Sequence, residues 1–209
     1  MERGHRETSV KAVEISDIFD VVRTDIRPWE KIVIHHSGGR SYPLKKGKLY
    51  GRIFDRYHRS VKMWRHGLGY HFVVNPGGEI ETGKRWIYQG LGDVYGAHCI
   101  GYNTVAIGIC VAGNFNAYKP TEEQLAVLLP LVDHLCHHFG LDASDVYGHC
   151  ELNRTDCPGK NLSMDFLRHD IKLRLEFDEN KEAIRREIRK IQTAVNDMAR
   201  SVLDTLESM

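Results

Sequence analysis

Three short apolar runs constrain the fold of this chain more than any other feature: Lys31–His35, Tyr70–Val74 and Thr104–Val111. Their length and their β-branched residues predict strands, and the first and last of them are typical of strands buried on both faces. The second run and Glu79–Thr82 flank the sequence Asn75-Pro-Gly-Gly78, which supplies the backbone angles that a tight turn requires. We therefore predict two buried strands and a β-hairpin.

Helical patterns separate these strands. Apolar residues recur near helical spacing over Leu49–Trp64, which predicts an amphipathic helix. A second helix is predicted to begin at Thr121–Gln124, which has capping-box spacing, and to end at Gly140. A further short helix is predicted over Met164–Leu173. Because strands and helices alternate loosely around one hairpin, we predict an α/β fold: a mixed central β-sheet flanked by helices, with a C-terminal helical extension.

The chain divides by pattern into three parts. Residues 1–30 are expected to pack on the main domain, with Val10–Val22 as a short helix or strand. Residues 31–175 are expected to form the domain itself, and residues 176–209 a C-terminal helix. From Asp178 onward the sequence contains neither Gly nor Pro. Apolar residues there follow a four-three heptad spacing: Ile184, Ile188, Ile191, Val195, Met198 and Val202.

The heptad pattern of the tail has two interpretations. The helix could lay its apolar stripe on its own domain, or it could join copies of the chain through a coiled coil or helical bundle. The length of the tail and its content of Lys, Arg and Glu favour self-association. We therefore expect a homo-oligomer that forms through the C-terminal helix.

Charge and hydropathy exclude several function classes. The formal net charge of +1 gives no general attraction to nucleic acid. No apolar run approaches the length that stable insertion into a membrane requires, and the N-terminus lacks the apolar core of a signal peptide. We expect synthesis in the cytoplasm, so that action on an external substrate would follow release. Five cysteines, without the spacing of a disulfide framework, are expected to stay reduced.

Two histidines and one cysteine are candidate metal ligands. His35 ends the first strand, directly before a Gly-rich loop, and strand ends are where open sheets place their chemistry. His149 and Cys157 lie eight residues apart, and Pro158 follows the cysteine. Two imidazoles and one thiolate suit Zn²⁺, and three protein ligands leave a fourth position for water, as in catalytic sites. The neighbouring residues His36 and Cys150 compete for the same roles.

Five blocks of sequence carry a family resemblance, and they occur in the family's order: Ile32–Ser37, Gly69–Val74, Gly96–Asn103, Val105–Ile109 and Gly148–Gly159. The chain resembles the zinc-dependent N-acetylmuramoyl-L-alanine amidases, which include phage lysozyme-type endolysins and peptidoglycan recognition proteins. The resemblance covers about Lys31 to Asp170 and leaves out the tail.

The resemblance implies that Zn²⁺ is the cofactor and that His35, His149 and Cys157 hold it. It implies catalytic roles for Tyr70 and for Thr155, although the phage enzymes have Lys where this chain has Thr155. It also implies that His98 and Asn103 bind substrate. Family members that lost the ligand cysteine tend to bind peptidoglycan without cutting it, and this chain keeps that cysteine.

The expected function is hydrolysis of the amide bond between N-acetylmuramic acid and L-alanine in bacterial peptidoglycan, in the setting of a phage or prophage endolysin. Two other functions stay open. One is a non-catalytic module that binds peptidoglycan, and the other is a regulatory partner of another protein. A purely structural zinc site is a third alternative, and it would need a fourth ligand such as Cys150 or His36.

Overall fold

A computed structural model describes the backbone of residues 10–207 and the side chains of residues 10–198 and 200. Six strands of this part form one sheet: β1 (Lys11–Val13), β2 (Lys31–His36), β3 (Phe72–Val74), β4 (Ile80–Thr82), β5 (Ala106–Val111) and β6 (Val146–Gly148). The α-helices are α1 (Gly51–Ser60), α2 (Lys84–Ile87), α3 (Glu122–Phe139), α4 (His149–Leu152) and α5 (Met164–Glu207). The predicted α/β class, with a mixed sheet and a C-terminal helix, is confirmed.

The sheet has the strand order β1-β4-β3-β5-β2-β6. The strands β1, β4 and β3 pair antiparallel, whereas β3, β5, β2 and β6 run parallel to their neighbours. The predicted hairpin is present as β3 and β4. Because β5, β2 and β6 are parallel, their carboxyl ends lie at the same edge of the sheet, where ligand sites of such sheets are found.

The parallel strands are buried as their sequence predicts. Ile32, Val33 and Ile34 of β2 are fully buried, and so are Ile107 and Ile109 of β5. Continuous apolar runs of this kind are stable only where both faces of a sheet are covered. The centre of the sheet therefore forms a rigid base for the residues at its edge.

The N-terminal part that the structure describes joins the sheet through β1, which pairs with β4. Within Val10–Val22 the chain forms this strand and one turn of 3₁₀ helix at Ile15–Asp17, so both predicted forms occur. Val10, Ile18 and Trp29 are buried. Residues 1–9 of the predicted N-terminal segment lie outside the described residues.

The helix α3 has the predicted ends. Thr121 Oγ1 accepts a hydrogen bond from the Gln124 backbone N–H at 3.1 Å, and the Gln124 side chain accepts one from the Thr121 N–H, which completes the capping box. Gly140 follows the helix with a φ of 65°, a left-handed conformation that favours glycine. The predicted helix over Leu49–Trp64 is also present, as the shorter α1.

The prediction for the last helix is wrong in its length. Met164–Leu173 is the start of one continuous helix, α5, of 44 residues. No Gly or Pro occurs between Met164 and Glu207, so the sequence offers no stop after Leu173.

The chain divides into two compact units, Met1–Ile171 and Lys172–Met209. Ile184, Ile188, Ile191, Val195 and Met198 of the second unit are each 55–71% exposed, and the side chain of Val202 lies outside the described residues. None of the helices described has an apolar stretch long enough to cross a membrane.

Candidate metal centre

The carboxyl edge of the parallel strands brings the three predicted ligands together. His35 lies near the end of β2, and His149 begins α4 directly after β6, whose Gly148 pairs with Ile34. Cys157 follows in the loop after α4. One donor atom from each of His35, His149 and Cys157 lies within 4.8 Å of the other two. Sequence spacing alone did not require this convergence, because His35 and Cys157 are 122 residues apart.

The donor set fits a zinc ion. His35 Nδ1 lies 3.7 Å from Cys157 Sγ. Two ligands on a tetrahedral zinc, at ordinary Zn–N and Zn–S bond lengths, are separated by about 3.6 Å. Two imidazoles and a thiolate are also ligands that zinc prefers. The residues present therefore suit Zn²⁺ in both chemistry and spacing.

The competing candidates are turned away from this cluster. His36 Nδ1 accepts a hydrogen bond from the Phe115 backbone N–H at 3.1 Å, because alternate side chains of a strand lie on opposite faces. Cys150 is exposed. Neither belongs to the group of donors around His35 among the described residues. The side chains of His36 and Cys150 therefore do not complete a closed site with four protein ligands.

The loop holds the sulfur of Cys157 in place. The His36 backbone N–H donates to Cys157 Sγ at 3.3 Å, and the Cys150 N–H donates to the Cys157 carbonyl oxygen at 2.7 Å. Gly159 closes the corner with a φ of 95°, and a Cβ there would lie 2.5 Å from the Phe115 backbone. Burial raises the pKa of the Cys157 thiol to about 12, whereas the His36 N–H lowers it. Metal binding would have to displace that proton.

A chain of hydrogen bonds fixes the tautomer of His35. His98 Nε2 lies 3.2 Å from the Ala106 carbonyl oxygen, which can only accept, so this nitrogen carries the ring proton. His98 Nδ1 is then an acceptor, and it lies 3.0 Å from His35 Nε2. His35 Nε2 therefore donates, which leaves the lone pair on Nδ1, the nitrogen nearest Cys157. Burial lowers the pKa of His98 to about 3, which keeps this ring neutral.

Two glycines make room for the His98 ring. A Cβ on Gly108, in the middle of β5, would lie 2.5 Å from the ring, and a Cβ on Gly96 would lie 2.6 Å from it. Asn103 holds the backbone of the same segment, because its Oδ1 accepts from the N–H groups of His98 and Cys99 at 2.8 and 2.9 Å. Glycine within a strand often marks such a close approach.

Asn153 fixes the tautomer of His149, as His98 fixes the tautomer of His35. Asn153 Nδ2 donates to the carbonyl oxygens of Ile100 and Leu152, at 3.2 and 2.8 Å, which orients its Oδ1 toward His149. His149 Nε2 lies 3.1 Å from that Oδ1 and therefore donates to it. The lone pair of His149 is then on Nδ1. No role was predicted for Asn153, because its partner is set by the fold of the loop.

Burial favours the neutral form of both ligand histidines. It lowers the pKa of His35 well below the ordinary value, and the neighbouring His98 and His149 lower it further. Burial also lowers the pKa of His149, which the bond to Asn153 partly offsets. A neutral imidazole is the form that binds a metal.

Tyr70 stands beside this cluster. Its ring centroid lies 5.2 Å from that of His35. Burial is the largest cause that raises the pKa of Tyr70 well above its ordinary value, and the Cys110 and Cys157 thiols raise it further. The hydroxyl therefore stays protonated and can donate a hydrogen bond.

An open groove of about 700 Å³ adjoins the cluster. It brings together the predicted residues Thr155, His98 and Asn103 with His149. Thr155 is exposed, and its Oγ1 accepts from the Cys157 N–H at 3.3 Å. The groove therefore leads directly to the candidate metal centre.

Glu151, which lies two residues after the candidate ligand His149, is engaged elsewhere. Its Oε2 accepts from the Gly148 N–H at 2.6 Å, and its carboxylate pairs with Arg168 at 2.9 Å. It therefore closes the turn between β6 and α4, as an ion pair of the loop.

Comparisons with known proteins identify relatives of this domain. A model of the family described as N-acetylmuramoyl-L-alanine amidase matches residues 25–160. A human protein named N-acetylmuramoyl-L-alanine amidase is 35% identical over 119 residues, which are 56% of this chain but only 19% of the human protein. Peptidoglycan-recognition protein SC2 of Drosophila melanogaster is 29% identical over 133 residues, 62% of this chain and 68% of that protein.

Solved structures share the fold. An endolysin from Clostridium intestinale, described as the N-acetylmuramoyl-L-alanine amidase LysCS, superposes with a TM-score of 0.53 at 28% identity. The match covers 72% of this chain and 85% of that one. Drosophila PGRP-LB superposes with a TM-score of 0.55 at 26% identity, over 68% of this chain and 81% of that one.

Proposed function

This chain belongs to the N-acetylmuramoyl-L-alanine amidase family, and from that premise we propose that it hydrolyses peptidoglycan. The bond broken is the amide between the lactyl group of N-acetylmuramic acid and L-alanine. The observation that carries the proposal is the convergence of His35, His149 and Cys157 beside an open groove. A module that only binds peptidoglycan has no need of this ligand set.

We assign the metal to His35 Nδ1, His149 Nδ1 and Cys157 Sγ. His98 and Asn153 act as positioning residues, because each fixes the proton on the far nitrogen of one ligand histidine. Such outer partners orient the ring and increase its basicity as a ligand. When bound, zinc would supply Lewis-acid polarisation and an acidified water.

The protein's own groups stabilise the charge that develops in the reaction. As water adds to the lactyl carbonyl, negative charge collects on its oxygen. Tyr70 can donate to that oxygen because its raised pKa keeps the hydroxyl protonated. Thr155 offers a second, uncharged hydroxyl at the mouth of the groove. Glu151 has no part in the proton transfers, because Gly148 and Arg168 hold its carboxylate.

The groove offers surfaces for the glycan and the stem peptide. Trp64 and Ile100 line it, together with His98, Asn103 and Arg154. Both ring nitrogens of His98 are engaged within the protein, so the substrate would meet its ring by van der Waals contact. Arg154 is exposed and could pair with a carboxylate of the peptide.

Digestion of purified peptidoglycan tests the proposal. The zinc-loaded protein should release peptides that begin with L-alanine and leave the glycan strands intact, as read by mass spectrometry. Prior treatment with a chelator should abolish this release. If the protein bound peptidoglycan without releasing peptides, it would be a recognition module and not an amidase. If the glycan strands became shorter, the protein would cleave a different bond.

The endolysin setting is a further part of the proposal. It is supported by the likeness to the endolysin from Clostridium intestinale. Intact target cells should resist the protein added outside an impermeable outer membrane and should lyse when that membrane is opened. If the cells resisted the protein in both conditions while the isolated wall was still cleaved, the endolysin setting would be contradicted and the cleavage activity would stand.

A further inference from the structure

We propose that the C-terminal part of α5, from Ile184 to Val202, joins this chain to further copies of itself in a parallel, three-stranded coiled coil. The partners of this helix are therefore two further copies of the same helix. This association is independent of the proposed cleavage activity.

The exposed side chains form one seam. Ile184, Ile191 and Met198 occupy position d of a heptad, and Ile188 and Val195 occupy position a. Each of these five side chains is 55–71% exposed. Burying such apolar side chains is the main favourable contribution to association between helices in water. Association of this helix with another apolar surface is therefore favourable, because it removes these side chains from water.

The narrowness of the seam favours a coiled coil over a membrane surface. A helix that lies on a membrane needs a wide apolar face and a basic polar face. Here Arg185, Glu187 and Gln192 flank the seam at the e and g positions. Six basic and five acidic residues lie between Asp178 and Arg200, a net charge of only +1. Anionic lipid would gain little from this surface.

Charges off the seam are already paired along the helix. Lys190 pairs with Glu187 at 2.7 Å, and Arg185 pairs with Glu182. These pairs support the helix without blocking the seam. The e and g positions bring no like charges face to face in a parallel coil, because Glu187 would meet Gln192 of a neighbouring copy. The e and g positions of a parallel coil therefore place no charge repulsion between copies.

The branching of the seam residues favours more than two strands, and three is the smallest such number. A two-stranded coil favours Leu at position d, whereas β-branched residues at both a and d favour three or four strands. Ile184 and Ile191 are β-branched at d, and Ile188 and Val195 are β-branched at a. Lys181 occupies the preceding a position and ends the apolar seam there.

The molar mass of the full chain in solution tests the proposal. Three copies of the 24.0 kDa chain give about 72 kDa by light scattering across a range of concentrations. The seam variant Ile188→Glu/Ile191→Glu should fall to a single chain. The control Thr193→Glu/Asn196→Glu adds the same charge off the seam and should keep the wild-type mass.

The measured mass and the binding to vesicles each test one part of the coiled-coil proposal. A wild-type mass of 24.0 kDa overturns self-association, and a mass of about 48 or about 96 kDa overturns the three-stranded form. An unchanged mass in the seam variant overturns the seam. Binding of the wild-type monomer to anionic vesicles, lost in the seam variant, would favour a membrane surface instead. Cys157→Ser should keep the wild-type mass, so failure of the proposed chemistry leaves this test intact.

Discussion

Replacing His98 by alanine separates a positioning role from direct contact with substrate. The ring accepts from His35 Nε2 at 3.0 Å and donates to the Ala106 carbonyl oxygen at 3.2 Å. His98→Ala leaves His35 Nε2 without this acceptor and leaves space above Gly108. Loss of an outer partner weakens metal binding by about 10- to 100-fold. That corresponds to about 1.4–2.7 kcal/mol of binding free energy.

The assay measures zinc affinity by competition with a coloured chelator, alongside urea unfolding of the metal-free protein. We expect the metal-free variant to lose about 1–3 kcal/mol of stability, because a buried N–H becomes unsatisfied. His98→Gln should recover part of the affinity, since an amide can accept from His35 and donate to Ala106. His169→Ala, an exposed histidine of α5, is the matched control.

Wild-type zinc affinity in His98→Ala would refute the positioning role. If turnover fell while zinc binding stayed unchanged, His98 would act on the substrate instead. If zinc affinity and stability both fell and His98→Gln restored neither, the ring would serve only to fill space.

Three other predictions concern the remaining residues of the site. Cys157→Ser should lose zinc and activity together, as metal analysis and digestion will report; activity retained without zinc would contradict the ligand assignment. Tyr70→Phe should keep zinc but lower kcat by about 10²-fold, as loss of an oxyanion donor does, and a wild-type kcat would remove Tyr70 from the reaction. Zinc affinity should rise about tenfold per pH unit between pH 6.5 and 8, because the Cys157 thiol, its pKa raised to about 12, must lose one proton. The ligand histidines, with lowered pKa values, add little to this slope, and a flat profile would contradict it.

The strands β2, β3, β4 and β5 and the capped helix α3 could be predicted because their signals are local. The short, β-branched run Lys31–His35 forms a buried strand, and the side chains of Thr121 and Gln124 form the capping box of α3. The continuous helix α5 was missed in length, although the absence of Gly and Pro after Met164 was a visible signal.

The candidate ligands could be predicted from the order of the sequence blocks, but their outer partners could not. The bonds from His98 to His35 and from Asn153 to His149 depend on how separate loops meet at the sheet edge. One sequence signal was available, since Gly108 interrupts an apolar strand. Such a glycine marks close approach of another group, and here that group is the His98 ring.

Titration of the metal-free protein with zinc, followed by the release of peptides from peptidoglycan, tests the central claim most directly. The account predicts that activity rises linearly to one equivalent of zinc per chain and then stays constant. Full activity in the metal-free protein, or no activity at one equivalent, would contradict it.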